Sequence, residues 1–177
     1  RRIGGGKPLR RLGGETLIAR ALETARGWSD EVRVAVRNPA QAPGTTILDD
    51  PAIEGPLAGL AAGLRFAREA GREAVLTLPC DMPFLPGDLP ERLEKAIGGH
   101  RAAIAASAGR LHPVCGFWRV EALHGLDRYL ATGRRSLRGF AEAIGYTAAE
   151  WPADPLDPFF NINDEDELAR AEKFFVR

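Results

Sequence analysis

Cysteine, histidine and net charge are all scarce in this chain, and each scarcity excludes something. Two cysteines in 177 residues, Cys80 and Cys115, cannot frame a disulfide scaffold and suit a reducing compartment. Three histidines leave little material for acid–base chemistry centred on imidazole, and no Ser/His/Asp arrangement stands out for nucleophilic catalysis. His112, Cys115 and Cys80 supply three soft metal ligands but no Cys-x-x-Cys pair, which argues against a structural zinc site. Lys+Arg and Asp+Glu both total 24, so no global basic field favours nucleic acid, and any anion site must be local. No apolar run approaches the ~20 residues of a membrane span. The expected compartment is the cytoplasm, with no nucleic-acid or membrane partner.

The hydrophobic fraction of 45% and the length predict one domain with a substantial core. Its elements alternate. "TLIARALETARGW" (16–28) has helical spacing after a Thr that can cap it, and "EVRVAV" (31–36) alternates like a strand. "TTIL" (45–48) is a short strand, and "GPLAGLAAGLRFAREAG" (55–71) is a helix with proline in its first turn. "EAVLTLP" (73–79) reads as a central parallel strand buried on both faces. A helix in "GDLPERLEKAIGG" follows, then strands 101–107 and 112–120 that could form a hairpin. Helices at about 121–132 and 136–144, a late strand in "YTAAEW" and a terminal helix in "NDEDELARAEKFF" complete the pattern. This alternation predicts a doubly wound α/β sheet, whose ligands bind beyond the carboxyl ends of the strands.

The loops at those ends carry the candidate chemistry. "RRIGGGKPLRRLGG" (1–14) joins a glycine run to basic residues, as a phosphate-cradling loop does, although a flexible basic end fits it as well. It is not a Walker loop, since Pro8 follows Gly6-Lys7, and it lacks the third glycine of the dinucleotide fingerprint. Asp81 in "PCDMPFLP" (79–86) is a carboxylate at the tip of an apolar strand, suited to Mg²⁺ shared with substrate phosphates or to capping a turn. In "DDPAIEGPLAG" (49–59), Asp50 could accept hydrogen bonds from a nucleotide base, and Gly55 and Gly59 let a helix start lie close to a ligand. The alternative there is an ordinary turn before a closely packed helix. Asn161 and Asn163 share one side of an extended stretch and could orient a polar ligand, with helix capping as the other role for Asn163. Arg134 and Arg135 in "TGRRS" could clamp a phosphate or simply be solvated.

Taken in order, "RRIGGGKPL", "D…GPLAGL", "PCDMPFL", "HPVCGFW", "GRRS" and "FFNINDEDELA" resemble the molybdenum cofactor guanylyltransferase family over the length of the chain. The resemblance implies a three-layer nucleotidyltransferase version of the doubly wound fold, with a mostly parallel central sheet. It implies transfer of GMP from MgGTP to molybdopterin with release of pyrophosphate, with Mg²⁺ (or Mn²⁺) as cofactor. Molybdoenzymes and cofactor-insertion proteins would be further partners. By the same resemblance Arg2, Gly5 and Lys7 belong to the phosphate loop, Asp50 and Asn38 lie near the guanine, and Gly55 and Gly59 form the "GPLAG" turn. Asp81 is the metal ligand, and with Lys7 the catalytic pair. Arg135, Asn161 and Asn163 fall on the molybdopterin side. The family's loop begins with a strand and "LAGG" that this sequence lacks, so about ten further residues, a strand and half a loop, are expected before Arg1. A CTP-using sibling, a sugar-phosphate nucleotidyltransferase and a non-catalytic cofactor carrier are the alternatives.

Overall fold

The computed structural model of this chain describes residues 7–38, 40 and 42–175. Arg2 and Gly5 of the glycine-rich loop lie outside them. After a single 3₁₀ turn at Lys7–Leu9, β1 (Arg11–Leu12) and β2 (Glu15–Thr16) make a minimal hairpin. Its turn residues Gly13 and Gly14 both have positive φ, which is why two glycines stand there. Thr16 then caps α1 (Leu17–Trp28), its hydroxyl oxygen accepting the Ala19 N–H at 3.3 Å.

Two separate sheets follow. β3 (Val34–Val36) and β4 (Thr46–Leu48) pair in parallel and pack on α2 (Pro56–Glu69). The larger sheet has the order β5 (Ala74–Thr77), β7 (Arg110–Arg119), β6 (Ala102–Ser107), β8 (Tyr146–Trp151). Between its strands run α3 (Leu89–Ile97), a 3₁₀ turn at Val120–Gly125, α4 (Leu126–Ala131) and α5 (Leu137–Ile144); α6 (Glu165–Phe175) ends the described chain. No described helix is long and apolar enough to cross a membrane.

The expected doubly wound class holds, but strand directions are more mixed than a mostly parallel sheet. β7 runs antiparallel to both β5 and β6, and only β6 and β8 are parallel. The reason is local: Ala108 and Gly109, both at positive φ, turn the chain straight back after β6. The reading of 73–79 as a strand buried on both faces is also corrected. Among the described residues β5 is an edge strand of its sheet, half-buried throughout, with a cleft of about 1710 Å³ between it and β3.

The core divides by the two-residue period of β6. Ala102 and Ile104 face α2, α4 and α5 together with Trp118 and Phe140, whose rings stack at 6.0 Å. Ala103 and Ala105 face α3 with Cys115, Trp151 and Phe159. Helices thus cover both faces, and a strand made almost wholly of alanine lets them approach closely. Truncating Phe140 to alanine would cost about 3–5 kcal/mol.

Candidate active site

Lys7 and Asp81 meet. Asp81 follows β5, while Lys7 enters from the other end of the chain, and its ammonium lies 2.5 Å from Asp81 Oδ2. The same Nζ donates to Asn163 Oδ1 at 3.0 Å and to Asn161 Oδ1 at 3.3 Å. Three oxygens from two distant segments therefore converge on one positive charge. The Asn segment is fastened to the Asp81 loop, since the Ile162 N–H donates to the Asp81 carbonyl at 2.9 Å. Alternation along an extended chain then turns Asn161 and Asn163 to the same side, with Ile162 buried between them. Helix capping falls instead to Asp164, whose Oδ1 accepts the Glu167 N–H, while Glu167 reaches back to the Asn163 N–H. Asn163 is thus released from that duty.

The residues placed near the base divide differently from expectation. The Asp50 carboxylate is already engaged, by an ion pair with Arg65 and by the Ala52 N–H at 2.9 Å, and these bonds hold its pKa below the ordinary value. Asp49, its neighbour, lines the cleft. Asp49 Oδ1 is buried without a hydrogen-bond partner among the described residues, and burial raises its pKa although Arg37 pulls the other way. Of the two acids at the end of β4, the one with unspent acceptor capacity is Asp49, which sequence reasoning passed over. A strand alternates its faces, and nothing in the sequence said which face of β4 was inward.

Gly59 stands against both β3 and this acid: a Cβ there would lie 3.1 Å from Ala35 Cβ and 3.3 Å from Asp49 Oδ1. Gly55 opens α2 at φ +72, and both glycines border the cleft with Asp49, Asp81 and Asn161. Asn38 follows β3, its side-chain oxygen accepting the Ala40 N–H at 3.0 Å.

Arg135 is not brought to Lys7 or Asp81 by any contact. Its guanidinium NH1 turns back to the Leu130 and Arg134 carbonyls at 2.9 and 2.8 Å, tying down the end of α4. The soft-ligand trio is dispersed among other roles. His112 bonds Ser107, Cys115 packs on Met82 at 3.6 Å, and burial lifts the Cys80 thiol to about 11. Among the described residues no three His, Cys, Asp or Glu side chains gather as a metal cluster. The oxygen set around Lys7 is of another type, one carboxylate and two amides.

The family model described as "MobA-like NTP transferase domain" matches residues 1–147. The chain is 39% identical over 176 residues to the molybdenum cofactor guanylyltransferase of Cereibacter sphaeroides, covering 97% of this chain and 90% of that protein. It is 41% identical over 179 residues to the protein of the same name from Acidiphilium cryptum, covering 97% and 88%. Among solved structures it superposes on molybdopterin-guanine dinucleotide biosynthesis protein A from Archaeoglobus fulgidus, with a TM-score of 0.79, 26% identity and coverage of 99% and 93%. The fold is also shared with 4-diphosphocytidyl-2C-methyl-D-erythritol synthase from Anaerococcus prevotii, at a TM-score of 0.75, 14% identity and coverage of 96% and 91%.

Proposed function

This chain belongs to the MobA-like NTP transferase family, and on that footing we propose that it transfers GMP from GTP to the terminal phosphate of molybdopterin. Pyrophosphate leaves and the guanine dinucleotide cofactor forms. The observation that carries the reading is the meeting of Lys7 with Asp81, Asn161 and Asn163 beside the cleft. A cation and a set of hard oxygens on one rim are what a nucleoside triphosphate requires.

A divalent ion fits those oxygens. Asp81 Oδ2 and the amide oxygens of Asn161 and Asn163 already converge on a cation, the Lys7 ammonium, and such donors suit Mg²⁺. When bound there, Mg²⁺ supplies charge neutralisation to the phosphates. The two asparagines, expected on the molybdopterin side, are better read as part of this phosphate end. Lys7 exchanges its carboxylate partner for phosphate oxygens and offsets the charge that gathers on the leaving pyrophosphate. The acceptor's phosphate monoester is anionic at neutral pH, so it attacks the α-phosphorus without a protein base. One P–O bond forms while the α–β bridging bond breaks. Among the described residues the side-chain partners of Lys7 are Asp81, Asn161 and Asn163, with no histidine among them.

Asp49, which lines the same cleft and has a buried oxygen without a partner among the described residues, is the acid we assign to accept from the N1–H and 2-amino groups of guanine. Arg135 keeps other guanidinium nitrogens for an anionic acceptor. We place the reaction in the cytoplasm, where GTP is supplied.

The test is turnover with GTP, Mg²⁺ and molybdopterin, followed by pyrophosphate release and by the mass of the product. Guanine dinucleotide formation is expected. Faster turnover with CTP would reassign the nucleotide, and product from a hexose phosphate would reassign the acceptor. Absence of pyrophosphate release would leave a cofactor carrier.

A further inference from the structure

A second polar cluster lies behind the site and plays no part in the chemistry above. Ser107, at the end of β6, is fully buried, and His112 on β7 is 9% exposed. Ser107 Oγ lies 2.8 Å from His112 Nε2 and 2.8 Å from Asp157 Oδ1. The proton directions follow from the groups. An ionised carboxylate only accepts, so the serine's single proton goes to Asp157, and His112 must donate Nε2–H to the serine oxygen. This is the reverse of a nucleophilic triad, in which the imidazole takes the serine proton. Ser107 here is a coupler, not a nucleophile.

What it couples is the strap that carries the asparagines. Asp157 Oδ1 also accepts the Phe159 N–H at 2.9 Å, and the Asp157 carbonyl accepts the Phe160 N–H at 3.0 Å. The Phe159 ring lies on the His112 ring at 4.7 Å, nearly parallel, and meets Trp151 edge-on. The segment 157–163 is therefore pinned at two places, at one end to the sheet through Asp157 and at the other to Asp81 through Ile162. Asn161 lies between the pins and Asn163 just beyond them.

We propose that Asp157, held by the Ser107–His112 pair, is a positioning residue that sets the Asn161 and Asn163 oxygens at their distances from Asp81. The proposal rests on the reading of those oxygens as part of the phosphate end. Small displacements of positioned groups are costly in rate, so the effect is readable in kinetics.

The experiment compares Asp157→Ala with Asp157→Asn, alone and combined with Asn163→Ala. An asparagine at 157 keeps an oxygen able to accept from Ser107 and from Phe159 N–H, whereas alanine keeps none. Asp157→Ala is expected to lower kcat/KM for MgGTP by roughly tenfold to a hundredfold, with Asp157→Asn within about threefold of wild type. In the Asn163→Ala background the further loss from Asp157→Ala should shrink to about threefold or less, because both act on one element. Independently of turnover, the side-chain amide resonances of Asn161 and Asn163 in isotope-labelled protein should move in Asp157→Ala and stay in Asp157→Asn. Full additivity of the losses, equal damage from alanine and asparagine, or unmoved amide resonances would overturn the proposal. Should Asp157→Ala fail to fold, Ser107→Ala, which cuts the same link from the sheet side, is read by the same cycle and the same resonances. Failure of wild-type turnover would instead count against the proposed function, while the resonances still decide the positioning role.

Discussion

Lys7 and Asp81, 74 positions apart in sequence, share an ion pair of 2.5 Å in which each side chain is about four-fifths buried. A pair so placed contributes through the charges that later join it, since the carboxylate can receive a metal and the ammonium can receive phosphate. Asp81→Asn preserves shape while removing the charge. It is expected to lower kcat by about 10²–10³, with a higher Mg²⁺ concentration needed for half-maximal rate. Steady-state turnover across a Mg²⁺ titration checks this, and a near-wild-type rate would remove Asp81 from the mechanism.

Asp49 is a half-buried acid whose buried Oδ1 has no hydrogen-bond partner among the described residues. Neutralising it should not harm the fold, because burying an unpaired carboxylate is itself unfavourable. Asp49→Asn is expected to keep or raise the melting temperature while reducing kcat/KM for GTP by about tenfold or more, and to narrow the preference of GTP over inosine triphosphate. Opposite signs for stability and activity are the signature. A loss of both would return Asp49 to a purely structural role.

Gly59→Ala tests the contact between α2 and β3. The added methyl would lie 3.1 Å from Ala35 Cβ, tighter than side chains ordinarily approach, and that Cβ is fixed to its strand. The expected cost is about 1–3 kcal/mol, read as a lower urea midpoint with an unchanged slope.

His112 gives a pH dependence. Burial lowers its pKa from the ordinary 6.5, Arg110 adds to this, and Asp157 and Glu150 oppose it. The unfolded chain therefore binds a proton that the folded one resists. This contribution to stability is whole above about pH 6.5 and is lost as pH falls below it towards the folded value. Urea midpoints measured between about pH 5 and pH 7.5 should decline towards the acid end, and His112→Gln, which still offers an N–H to Ser107, should flatten that slope.

Much of this was legible in the residues. The capping Thr16, the proline opening α2 and the hairpin of β6 and β7 follow from local rules, and they placed the loops correctly. The partnership of Lys7 with Asp81 came from the family resemblance and from the habit of α/β sheets to gather ligands at strand ends. Other features turn on side-chain direction, which spacing does not carry. Asp49 and Asp50 differ by one position just past β4, and only the structure shows which of them turns to the cleft and which to Arg65. Arg135 is a candidate phosphate clamp by residue type, and only the structure shows its NH1 turned to the carbonyls of Leu130 and Arg134. The Ser107–His112–Asp157 chain joins the β6–β7 hairpin to a stretch 50 positions beyond Ser107, and no periodicity announces it.

The division into two sheets has a consequence for what a bound nucleotide would be. Asp49 and Gly59 belong to the body built on β3 and β4, whereas Asp81 follows β5 of the larger sheet and its asparagines lie on the loop fastened to it. GTP spanning them would act as a strut between two otherwise separately laddered bodies, so the substrate would stiffen the very architecture that reads it.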